Sequence, residues 1–299
     1  MNFIFPKAFR FAALLASYAF LAPAVTAQPP PMTAPQPPPE ATLEAAPSGF
    51  DLAREAAPKG TMESIEFDSS VVGGKRPATV YLPPGYSSGE QYPVLYLLHG
   101  IGGNETHWPG PGAAGTILDN LIADGKAEPM LVVMPNGRAS DQPSTMFGGP
   151  GAGGNNADPG AGIALEFEAY AAFERELLND LIPHIESHYS VNAERSQRAL
   201  AGLSMGGGQA LNFGLGNTDV FAWVGGFSSA PNTLPVAELV ADPAAARQLE
   251  LLWVSCGNED TLFNISLGVH EYLSAQNVPH VWYIDAGAHT FPVWKNDLY

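Results

Sequence analysis

Gly202-Leu203-Ser204-Met205-Gly206 sets a serine between two glycines, a spacing that lets the hydroxyl stand on a strained turn and attack an acyl carbon. The surrounding sequence supports that use. An apolar, strand-like stretch, ALAGL, leads into the motif, and Gly206-Gly207-Gly208-Gln209-Ala210-Leu211 begins a helix of small residues after it. A serine hydroxyl is a weak nucleophile, so it needs a base within hydrogen-bond reach and a group that orients the base. After such a turn the partners follow in the order acid, then histidine. Three histidines lie downstream: His270, His280 and His289. His270 falls in a helical pattern, LGVHEYL, and His280 opens a strand, far from that strand's C-terminal end. His289 follows the same strand across Asp285-Ala286-Gly287-Ala288. Catalytic groups gather at that edge of open α/β sheets, so His289 is the expected base. The acid is sought past the strand Leu251–Ser255, in Cys256-Gly257-Asn258-Glu259-Asp260. Asp260 is preferred and Glu259 is the alternative; Asp285 is too close in sequence to His289 to reach across the site. A fourth element is His99-Gly100-Ile101-Gly102-Gly103, a glycine turn after an apolar strand. The backbone amides of Ile101 and Met205 are expected to receive the negative charge of a tetrahedral intermediate. His99 is expected to brace this loop.

These groups need a scaffold that brings several strand ends to one rim. Thr61–Phe67 and Ala78–Leu82 read as an antiparallel pair around Gly73-Gly74. Pro93–Leu98, Met130–Met134, Arg198–Leu203, Phe221–Phe227, Leu251–Ser255 and His280–Ile284 read as further strands, several buried on both faces. Helical patterns lie between them, at Ala113–Ala123 and Ala164–Tyr189 among others; Pro183 should kink or divide the latter. Alternation of this kind predicts an α/β-hydrolase fold: a mostly parallel central sheet with helices on both faces. Residues 137–162 form a long glycine-rich stretch expected to be a functional loop. Trp108, in a loop just after the glycine turn, is expected to line the substrate pocket. Cys256 is expected to be a small apolar filler at a strand end.

Outside this domain, residues 1–27 have the layout of a secretory signal peptide. Lys7 and Arg10 precede an apolar run from Phe11 to Leu21, with Val25-Thr26-Ala27 at the expected cleavage site. The run is short for a membrane span, so export to a secreted or periplasmic location is expected, without membrane insertion after cleavage. Residues 28–49, with Pro29-Pro30-Pro31 and Pro37-Pro38-Pro39, read as a semi-rigid linker to an esterase domain at 50–299. The formal net charge of −17 disfavours nucleic acid and anionic membrane surfaces as partners. A single cysteine excludes an intramolecular disulfide and any cysteine-based metal site.

Four stretches, VYLPPGYSSGEQYPVLYLLHGIGGNETHW (80–108), GLSMGGGQALNFGL (202–215), CGNEDTLF (256–263) and GAHTFPVWKNDLY (287–299), resemble carbohydrate esterase family one. This family holds esterase D-type feruloyl and acetyl-xylan esterases, including domains attached to bacterial xylanases. The resemblance covers roughly residues 50–299. It implies Ser204 as nucleophile, Asp260 as acid and His289 as base, with no metal or organic cofactor. It also implies a plant cell-wall substrate, a feruloyl or acetyl ester on arabinoxylan. Family members usually continue past the tryptophan-containing turn into a final helix, whereas this sequence stops at Tyr299, so apolar surface near His289 is expected to lie open. The main competing readings are acyl transfer to an alcohol and a catalytically inactive carbohydrate-binding protein; the complete Ser, Asp and His set argues against the latter.

Overall fold

The computed structural model describes residues 43, 45–142 and 159–299. The expected leader, all but the end of the proline-rich segment, and most of the glycine-rich stretch lie outside these residues. The described chain builds one eight-stranded sheet in the order β1-β2-β4-β3-β5-β6-β7-β8. Its strands are β1 (Thr61–Ser69), β2 (Gly74–Leu82), β3 (Val94–Leu98), β4 (Leu131–Pro135), β5 (Arg198–Leu203), β6 (Trp223–Phe227), β7 (Leu251–Gly257) and β8 (Val281–Asp285). Only β2 runs antiparallel to its neighbours, pairing with β1 on one side and β4 on the other. From β4 through β8 every pairing is parallel. This is the mostly parallel α/β-hydrolase sheet that the alternation of buried strands and helices predicts. β3 and β4 are buried nearly throughout because helices cover both faces.

One apolar cluster fills each face. On the first, Leu98, Leu131, Leu200 and Val254 pack under α2 (Pro159–Glu176), α4 (Met205–Gly216) and α7 (Phe263–Ala275), through Phe173, Leu211 and Val269. On the second, Leu97, Val132, Leu203 and Phe227 meet α1 (Ala114–Ala123) and a final helix, Phe291–Leu298. The long helix expected over Ala164–Tyr189 starts earlier and changes pitch. It begins at Pro159, and a π-helical turn at Leu177–Leu181 separates it from α3 (Ile182–His188). The Ile182 amide reaches back five residues to the Leu177 carbonyl. Pro183, one residue on, has no amide to donate and crowds the preceding turn, so a wider turn at this point relieves the clash. Two one-turn helices, α5 (Val236–Leu239) and α6 (Pro243–Ala246), follow β6, which makes the final helix α8.

Two expectations change here. Residues 291–298 are themselves helical, and Val293 and Trp294 are buried beside the rim, so the surface at His289 is covered. The glycine-rich stretch is also shorter as a loop than expected, because residues 159–162 belong to α2. Among the described residues no helix is long and apolar enough to cross a membrane.

Candidate active site

β3 and β5 are neighbours in the sheet, while the strands following each lie to opposite sides. Their C-terminal ends therefore flank a switch point, the usual place for a ligand crevice in such sheets. Ser204 is the residue immediately after β5. Its φ of 55° and ψ of −117° lie outside the ordinary regions for an L-residue, and the amide bonds the Phe227 carbonyl at 2.8 Å. Its own carbonyl accepts from Ala230 and Gly208, so the strained turn is held by backbone bonds on both sides. The glycines of the motif have a steric cause. A Cβ at Gly202 would sit 2.4 Å from the Gly206 carbonyl oxygen, and one at Gly206 would sit 2.5 Å from that of His99. Only bare backbone lets α4 begin this close to β3.

The three side chains meet. The Ser204 hydroxyl lies 2.8 Å from His289 Nε2, and His289 Nδ1 lies 2.7 Å from Asp260 Oδ2. The Asp260 carboxylate is fully buried, and its other oxygen accepts the Leu262 amide at 2.8 Å. With both oxygens engaged, the carboxylate fixes the imidazole in the Nδ1–H tautomer, leaving Nε2 to accept the serine proton. Glu259, the alternative acid, is exposed one residue earlier and makes no side-chain bond to His289. His270 and His280, set aside on sequence grounds, bond to each other at 2.8 Å. Cys256 is buried, but its neighbours are polar: the Asp260 carboxylate and the Ser228 and Ser266 hydroxyls. Burial first, and the Asp260 charge second, push its thiol up to about 12, so it stays protonated beside the carboxylate.

The glycine turn after β3 is braced from below. His99 is buried and neutral, its pKa lowered to about 4 by burial above all. Nδ1–H donates to the Gly100 carbonyl at 2.6 Å, and Nε2 accepts the Gly137 amide at 2.9 Å. The Tyr170 hydroxyl also donates to Gly100, at 3.2 Å; burial, then the Glu166 charge, raises its pKa. Met205 opens α4, so its amide has no carbonyl one turn back to bond. Ile101 lies in the turn and lines the same cavity as Ser204. Tyr170 falls inside the helical pattern over Ala164–Tyr189, and nothing local in that pattern marks its hydroxyl as reaching the turn.

A cavity of about 300 Å³ opens at Ser204, lined by Gly100, Ile101, His107, Leu203, His289, Phe291 and Trp294. Trp108 does not line it. Its ring is 1% exposed, packs edge-on against Phe227 and Phe291, and its indole N–H bonds the Leu98 carbonyl at 2.9 Å. The loop turns this residue into the core and presents its neighbour, His107, to the cavity. Phe291 and Trp294 supply the aromatic wall from α8, and Trp294 stands edge-on to His289 at 4.8 Å. Among the described residues no cluster of three or more potential ligands could hold a metal ion.

The Esterase family model matches residues 69–298, which includes every group of this site. The chain belongs to this esterase family. The esterase is 36% identical over 245 residues to an endo-1,4-beta-xylanase/feruloyl esterase of Xylanibacter ruminicola, covering 80% of this chain and 30% of that one. The chain thus spans under a third of that relative's length. Among solved structures, a carbohydrate esterase family one ferulic acid esterase of Anaeromyces mucronatus is 25% identical. It has a TM-score of 0.71, with 85% of this chain and 94% of that one covered. The feruloyl esterase module of Clostridium thermocellum, at 20% identity, shares the fold with a TM-score of 0.66 over 88% of this chain and 93% of that one. The chain is therefore a member of the esterase family on an α/β-hydrolase fold, and it is similar to feruloyl esterases.

Proposed function

We propose that this esterase hydrolyses feruloyl and p-coumaroyl esters on plant cell-wall polysaccharide such as arabinoxylan, through an acyl-enzyme. The observation that carries the mechanism is the unbroken relay from Ser204 through His289 to Asp260, with contacts of 2.8 and 2.7 Å. In the first half-reaction His289 takes the Ser204 proton as the oxygen attacks the ester carbonyl. The oxyanion forms against the Ile101 and Met205 amides; as it collapses, the bond to the sugar oxygen breaks and His289 gives its proton to that oxygen, releasing the sugar hydroxyl. In the second, water attacks the acyl-serine with His289 again as base, releasing the carboxylic acid and restoring the serine. Asp260 holds the imidazole and stabilises its cation at both steps.

Two features support the acyl group. The cavity beside Ser204 has walls of Ile101, Leu203, Phe291 and Trp294, which suit a flat aromatic acyl chain. The relative from X. ruminicola is named as a xylanase/feruloyl esterase, and an A. mucronatus esterase has been solved with ferulic acid. A polysaccharide leaving group also agrees with export, directed by residues 1–27, and with a proline-rich tether at 28–49. A negatively charged domain meets no electrostatic barrier at a neutral glycan. Hydrolysis of methyl ferulate, feruloylated arabinoxylan and acetylated xylan by the full chain tests this reading. Ferulate release that disappears in Ser204→Ala is expected; acetate release without ferulate release overturns the assigned acyl group.

A further inference from the structure

Eight residues line the cavity at Ser204, and seven of them are accounted for. Ser204 and His289 perform the chemistry, while Gly100 and Ile101 form the turn that faces the oxyanion. Leu203, Phe291 and Trp294 are apolar wall; the Trp294 indole N–H has no partner, but it is closed off from the cavity space. The eighth residue is His107. Its backbone is pinned, the amide to the Asn104 carbonyl at 3.1 Å and the carbonyl to the Gly112 amide at 3.0 Å. Its ring is wedged edge-on between His99 and Phe291, with centroids 6.1 and 6.0 Å away. A Cβ at Gly103 would lie 2.4 Å from Nδ1 and 2.9 Å from Cε1, so this edge of the ring lies against the oxyanion turn. The half-buried imidazole makes no side-chain hydrogen bond to any described residue, and neither ring nitrogen is sealed from solvent, so a group seated in the cavity can reach it.

We propose that His107 is a specificity-determining residue, whose imidazole hydrogen-bonds the ring hydroxyl of a hydroxycinnamoyl group seated in the cavity. This rests on the reading of the enzyme as a feruloyl esterase given above. Burial lowers the pKa of His107, so at neutral pH the ring is uncharged and offers one nitrogen lone pair to a phenolic O–H. An acetyl group has nothing to place there. A cinnamoyl group fills the apolar walls but leaves the imidazole unpaired, and a site built around a substrate hydroxyl discriminates against an analogue lacking it.

Methyl p-coumarate and methyl cinnamate differ by that hydroxyl alone, which donates electrons and makes the p-coumarate carbonyl the less reactive. A preference for p-coumarate must therefore come from the protein. In the full chain the ratio of kcat/KM values, p-coumarate over cinnamate, is expected to be roughly tenfold in the wild type. It should fall to near unity in His107→Phe and recover several-fold in His107→Gln, which restores a hydrogen-bonding group. Because each ratio is taken on one preparation, partial misfolding of a variant cancels. A wild-type ratio near one, or an unchanged ratio in His107→Phe, overturns the role of His107 while leaving feruloyl hydrolysis intact. Turnover of phenyl acetate with no turnover of either cinnamate overturns the acyl assignment, and this inference with it.

Discussion

Two polar regions of this esterase each hold a buried carboxylate, yet they are built to opposite ends. At the outer edge of the sheet, Arg76 on β2 and Glu176 at the end of α2 are 7% and 0% exposed and lie 3.2 Å apart. Glu176 also accepts the Ser69 hydroxyl at 2.6 Å, while the Arg76 guanidinium reaches the Asn136, Arg138 and Ser140 carbonyls. Both carboxylate oxygens have a partner, and the guanidinium ties β2 to the segment after β4. At the catalytic rim the polar chain is also continuous, but it ends in a serine oxygen that faces a cavity. Saturation makes the first region a clamp. One end left open, held on a strained turn, suits the second to the reaction proposed for it.

The largest effect should come from the open end. Ser204→Ala removes the nucleophile and should lower kcat by roughly 10⁴-fold or more in steady-state assays on methyl ferulate. The melting temperature should barely move. Asp260→Asn keeps the shape of the relay but favours the wrong imidazole tautomer, and kcat should fall by roughly 10⁴-fold. At the clamp the balance reverses. Glu176→Ala leaves Arg76 buried without its carboxylate and should cost about 3–5 kcal/mol in chemical denaturation. The folded fraction should retain kcat near that of the wild type. If kcat falls as far as in Asp260→Asn, the two regions are one functional unit.

His99 lies between the two behaviours, saturated like the clamp but seated under the reacting turn. Its folded pKa of about 4 lies below the unfolded value of about 6.5, so between these pH values the unfolded chain binds a proton that the folded one refuses. Its contribution is complete above about pH 6.5 and is lost as the pH falls toward 4. His99→Gln should therefore flatten that decline, by at most about 3 kcal/mol across the window, when unfolding free energies are measured at several pH values. A variant whose acid decline parallels that of the wild type would mean that His99 is already protonated in the fold.

The sequence exposed the rim better than the clamp, for a physical reason. The parallel strands β3 to β8 leave short apolar-rich runs, and Ser204, Asp260 and His289 each follow the end of one of them. Strand-end position is a local property that a pattern records. The pairing of Arg76 with Glu176 joins residues 100 positions apart, and nothing local marks either as a partner of the other. Trp108 failed for a related reason: its loop position is local, but the direction of its ring is set by Phe227 and Phe291 from distant elements. Its neighbour His107, Tyr170 and the aromatic wall of α8 escaped notice in the same way. The π-helical turn was half legible, since Pro183 announces a break but not its form.

The central claim is that one serine, activated through His289 and Asp260, is the acyl carrier. A fluorophosphonate reacts with such a serine and is not hydrolysed, so the full chain can be labelled, digested and mapped by peptide mass spectrometry while ester hydrolysis is followed. One phosphonate per chain on Ser204, with activity falling in step with labelling and the rate much slower in Asp260→Asn, is the predicted result. Full activity in a chain labelled at Ser204, or inactivation through another residue, would contradict the account.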